Sequence, residues 1–123
     1  MPADRKTAFN LYVTNLRQGW CAITNPTLAL GIGLKWDLRV FPYLLIWNVY
    51  RGFYNSPFFG RTYNIALEPY SAIPDNLDEV IRLGRDIRLD ALQELSTKFA
   101  IIVYGAKNRV KGFDDQYGVL EHS

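Results

Sequence analysis

One carboxylate in this chain stands where chemistry could be done. In "IALEPYSAIPDN", residues 65–76, apolar residues lead into Glu68. Pro69 follows at once, and then the turn-forming run Ile73-Pro74-Asp75-Asn76. Read with a period of two, "RTYNIALEPY" (61–70) is a strand whose Glu68 face also holds Thr62, Asn64 and Ala66, all small or polar. A carboxylate ending such a row faces a wet cleft, and Pro69 removes a ladder donor so that the strand stops there. Partial burial would raise its pKa toward that of a useful general base. The alternative is an edge carboxylate, solvated or paired with Arg61 or Arg39. A set of rings is close in sequence: Trp36, Tyr43, Trp47, Tyr50, Phe53 and Tyr54, with Arg39, Asn48 and Asn64 among them. Sugars offer apolar C–H faces that stack on rings, while amides and guanidinium groups hold their hydroxyls. A β-protein core consumes the same rings.

Other chemistries find little material. His122 is the sole histidine and is penultimate, which leaves no basis for a His-based triad or zinc site. Cys21 is the sole cysteine, which excludes an intrachain disulfide and a cysteine metal cluster and reads as a small core hydrophobe. "GIG" (31–33) lacks the remaining glycine of a dinucleotide fingerprint and falls inside a strand. Asp114-Asp115 reads as a solvated charge pair. Neither a metal nor a cofactor is expected.

The elements that must position Glu68 are mostly strands. The 123 residues suffice for one domain, whole or partial, spanning 1–123; 49% are hydrophobic and 15% aromatic, ample for a core. The net charge of +2 and the scattered basic residues give no nucleic-acid footprint. "MPADRKTAFN" lacks the apolar stretch of a signal peptide, and "VFPYLLIW" (40–47) is too short to cross a bilayer, so a soluble, cytoplasmic protein is expected. Strands are predicted over 9–16, 20–24, 28–36, 41–50, 61–70, 86–92 and 96–105. In 28–36, Leu28, Leu30, Ile32, Leu34 and Trp36 alternate with Ala29, Gly31, Gly33 and Lys35, so one face is nearly bare and something packs closely on it, backbone or ligand. A short helix follows Asn76, its cap, with Glu79 as capping-box partner, Leu77, Val80 and Ile81 as its apolar face and Gly84 at its end. Residues 51–60 form an aromatic loop, and 106–123 read as a peripheral polar tail. The fold class is mainly β, an antiparallel sandwich with one short helix.

"GRTYNIALEPYSAIPDN" (60–76) resembles the C-terminal signature of aldose 1-epimerases and their galactose mutarotase-like relatives, in which a strand ends in Leu-Glu and a Pro-Asp-x-x-Asn-like turn follows. "FPYLLIWNVYRG" (41–52) is similar to that family's strand leading into the sugar site. "DIRLDALQELSTKFAIIVYG" (86–105) is similar to its closing segment; Glu94 holds the Glu place, and Leu92-Gln93 stands where the family has Pro-Gly. The resemblance covers about residues 9 to 105. It implies the C-terminal portion of a β-supersandwich more than twice this length, with Glu68 as general base of a reaction that opens and recloses a sugar ring. On that reading the nearby rings and polar groups Trp47, Tyr43, Asn64, Arg39 and Asn48 are the site-lining candidates. The family's catalytic His and substrate-binding Arg belong to its N-terminal half and have no counterpart here. Three expectations follow: an epimerase-like protein acting on a sugar or sugar phosphate, a carbohydrate-binding module without catalysis, or an incomplete sandwich that pairs its edges with itself or a complementing chain.

Overall fold

The computed structural model describes residues 6–105 and 108–122. Eight strands and one helix are formed among them, in the order β1 (Thr7–Val13), β2 (Trp20–Asn25), β3 (Leu30–Trp36), β4 (Tyr43–Tyr50), β5 (Tyr63–Tyr70), α1 (Leu77–Arg82), β6 (Phe99–Gly105), β7 (Val110–Phe113) and β8 (Val119–Glu121). The protein is mainly β, and every strand ladder is antiparallel. The chain divides into two compact units, each built from two stretches of sequence.

The first unit takes the chain to Leu16 and then Pro42–Asp86. Its sheet has the order β1-β4-β5. The run Tyr43–Tyr50 is apolar on both faces, as a central strand must be, and Leu44, Leu45, Val49 and Tyr50 are all buried. The strand carrying Glu68 does not stop there but continues to Tyr70, with Pro69 opposite Leu44. A proline is tolerated because β5 is an edge strand, with an N–H side that need not pair. The Ile73-Pro74 peptide that follows is cis. Asn76 caps α1 by accepting from the Glu79 backbone N–H at 3.1 Å, as its position in the sequence implies. Of the expected apolar helix face only Val80 is buried; Leu77 and Ile81 remain exposed. Gly84 follows in the left-handed region at φ 63°.

The second unit takes Arg17–Phe41 and the chain from Ile87. It has a sandwich-like build, with the sheet β2-β3-β6 lying against the hairpin β7-β8. Here the bare face of β3 finds its partners. A Cβ at Gly31 would collide with the Tyr104 ring and one at Gly33 with the Phe113 ring, so the close approach is made by the chain's own aromatics. Phe113 stands edge-on to Trp20 at 5.9 Å and to Tyr104 at 5.7 Å. With Ile102 and Val110 these rings form the unit's core.

Two expectations are corrected here. Residues 106–123 are not a peripheral tail: within them Val110 and Phe113 are buried (106, 107 and 123 lie outside the described residues). A few apolar residues among many polar ones build a hairpin that closes the sheet, and so sparse a pattern carries no period to read. Residues 86–92 form no strand. Ile87 and Leu89 are exposed without a ladder partner, Asp90 and Gln93 close a turn, and Leu92 adopts φ 67°.

Candidate functional site

The register of the first sheet decides which residues share a face. Tyr12, Leu45 and Glu68 lie directly opposite one another across β1, β4 and β5. On that same face, by the alternation of side chains, Tyr43 stands opposite Tyr70, Trp47 opposite Ala66 and Val49 opposite Asn64. Four of the expected residues, Glu68, Trp47, Tyr43 and Asn64, are therefore brought to one side of one sheet, and all four are half-buried. Glu68 and Asn64 are four residues apart on β5, a span of about 13 Å. Ala66 lies between them as a low floor beside the Trp47 ring. Asn64 Oδ1 is buried and has no hydrogen-bond partner among the described residues.

Two expected residues are elsewhere. Asn48 belongs to the opposite face, where it is 4% exposed and accepts from the Tyr50 hydroxyl at 2.8 Å. The structure commits it to that hydrogen bond in the interior. Arg39 belongs to the second unit, exposed and chelating Asp37, with Nη2 2.6 Å from Oδ2 and Nε 3.1 Å from both oxygens. This contact holds the Asp37 carboxyl below its ordinary range. Glu68 makes no ion pair with Arg39, Arg61 or any other described residue. Glu94 is exposed in the irregular stretch before β6, and His122 follows β8, its backbone N–H donating to the Arg109 carbonyl.

Tyr70 shares the Glu68 face by the alternation of β5 itself, whereas Tyr12 is brought to it from another strand. The rings of Tyr12 and Tyr70 meet edge to face at 6.3 Å. Partial burial, then the Asp75 carboxylate, push the Tyr12 phenol above its ordinary pKa; partial burial, then Glu68, push up Tyr70. Two phenols thus stand within the field of two carboxylates at the end of the face. Only a register that aligns residues 12, 45 and 68 would have revealed Tyr12.

The aromatic loop adds a recess. Phe58 stacks edge-on to Trp47 at 5.9 Å and lies 5.2 Å from Phe53. A cavity of about 410 Å³ opens there, lined by Gly52, Phe53, Tyr54, Asn55, Ser56 and Phe58. A larger one, about 630 Å³, is in the second unit, lined among others by Lys35, Trp36, Arg39, Lys98 and Tyr117. Its charges are largely spent on one another: Lys35 Nζ is 2.8 Å from the Asp114 carbonyl and 3.3 Å from Asp115, and Arg39 is held by Asp37. An anion approaching Lys35 or Arg39 would have to displace those partners. The Glu68 face combines a carboxylate without an ion-pair partner and a half-buried ring, and is the better candidate.

Comparisons with family models, with curated proteins and with solved structures find no match for this chain.

Proposed function

We propose that the chain is an aldose 1-epimerase-like carbohydrate-active protein, with a sugar or sugar phosphate seated over Ala66 beside Trp47. The observation that carries this reading is the common face of Glu68, Trp47, Tyr43 and Asn64. Trp47 supplies a surface for the apolar side of a pyranose. Asn64 lies on the same face, its Oδ1 buried and unpaired, a state that costs about 1–3 kcal/mol.

Glu68 is the general base. It takes the proton of the anomeric hydroxyl, the anomeric oxygen forms a carbonyl with C1, and the bond from C1 to the ring oxygen breaks. The ring oxygen collects a proton, rotation about C1–C2 presents the other face, and reversal of the steps closes the ring. The proton delivered to the ring oxygen needs a source. Tyr12 and Tyr70, with raised pKa values, hold their protons at neutral pH; they can donate hydrogen bonds but resist ionising beside two carboxylates. Solvent is then the proton source, and the loss of a positioned acid costs about 10²–10⁴-fold in rate.

A second reading, sugar binding without catalysis, is favoured by the same two tyrosines and by the absence of histidine from the first unit's sequence. One experiment separates the two. NMR exchange of α-glucose, α-galactose and glucose 6-phosphate anomers is followed with the protein and with Glu68→Gln. Acceleration that disappears in the variant supports the epimerase. Saturable binding without acceleration, weakened by Trp47→Ala, supports the binding module. Neither binding nor acceleration with any of the three sugars sinks both.

A further inference from the structure

The sheet β2-β3-β6 has two faces of opposite character. One is closed by the hairpin. The other presents Ile23, Ile32 and Val103 in one cross-strand row and Cys21, Leu34 and Ile101 in the next, with Leu30 and Phe99 toward the ends. Ile23, Leu30, Ile32, Phe99, Ile101 and Val103 are 40, 47, 53, 49, 68 and 69% exposed. The face bears no charged side chain: Lys35 is the one charged residue of these strands, and it pairs with Trp20 and Ala100 on the closed side.

These six side chains expose apolar surface on the order of 600 Å², at the upper end of the largest patch on an ordinary monomer. Two such faces brought together remove about 1,200 Å² from water, the lower bound for a specific interface. A face that carries no charge, is apolar but for Asn25 at one end, and is centred on β3 is complementary to itself. A partner chosen by charge would find nothing to read.

We infer that this face is the contact between two copies of the chain, packed sheet on sheet about 10 Å apart and related by a two-fold axis near Ile32. The contact uses the face of the sheet, not its edges, and is independent of Glu68. Each copy gains cover for strands that otherwise have one dry side and one wet side.

Sedimentation velocity across the micromolar range tests it. The protein should sediment at twice the 14.2 kDa chain mass. Ile32→Glu and Val103→Glu should each weaken association by roughly tenfold or more, because every dimer then buries two unpaired carboxylates. Both side chains are exposed within the single chain, so both variants should keep the wild-type circular dichroism. A monomeric wild type overturns the inference. So does a dimer that survives both substitutions, which would place the contact on a strand edge, and so does association only with a different polypeptide.

Discussion

Glu68 and Tyr70 share a face two residues apart on β5, and their charges are coupled. The folded pKa of Tyr70 lies above the unfolded value of 10.0, with burial the largest cause and Glu68 the next. The native state therefore favours the protonated phenol. Its contribution to stability is fully present below pH 10 and is lost as pH rises through the folded pKa. Glu68→Gln should bring the Tyr70 midpoint down and move Tyr12 less, since Glu68 is the smallest of the causes acting on Tyr12. Titration of the two phenolic carbons by NMR reads this directly, and an unmoved Tyr70 would mean that the carboxylate points away from it. Cys21 shows the same physics, burial outweighing a backbone hydrogen bond at Leu34 that acts the other way. Burial pushes its thiol up to about 11, so it stays protonated at neutral pH and behaves as the hydrophobe its isolation in the sequence implies.

At the scale of elements, the glycines of β3 and the rings above them act as one device. Phe113 occupies the space that a side chain at 33 would take and touches Trp20 and Tyr104 as well. Phe113→Ala should cost about 3–5 kcal/mol, the range for emptying an aromatic site in a packed core. A denaturant melt measures it; a loss under about 1 kcal/mol would show that the hairpin is not needed to close the sheet. This element also marks the limit of sequence reasoning. The alternation in 28–36, the cap at Asn76 and the carboxylate late in β5 are local patterns, carried by neighbouring residues. The hairpin has few apolar residues and no period, and Tyr12, Tyr70 and Asp75 meet only through cross-strand register and a turn. Asn48 and Asn64 look alike in the sequence, yet their strands' alternation sends them to opposite faces, one into a hydrogen bond with Tyr50. Arg39, near the aromatic set in sequence, falls in a different unit.

At the scale of the molecule, the chain crosses between the two units three times, and the last crossing leads into residues 87–98 of the second unit. This stretch makes no strand ladder, and Ile87, Leu89, Leu92 and Leu95 are exposed. Backbone without ladder partners opens at low free energy. Limited trypsin digestion should therefore cut first within 87–98, before any of the eight strands. Mass spectrometry of the earliest fragments checks the site, and a first cut inside β4 or β5 would contradict this ordering.

The alternation of the two units along the chain has a consequence for synthesis. Every segment of the first unit has left the ribosome once Asp86 is clear, so β1, β4 and β5 can pair while the rest is still being made. The second unit cannot do this. Its β2 and β3 emerge early but wait for β6 and then for the hairpin, and Gly33 meets Phe113 only when 80 further residues have followed it. During that interval the glycine groove of β3 is open and unfilled on the nascent chain. The part of the protein that carries Glu68 is thus assembled first, and the part with the widest apolar face is assembled last.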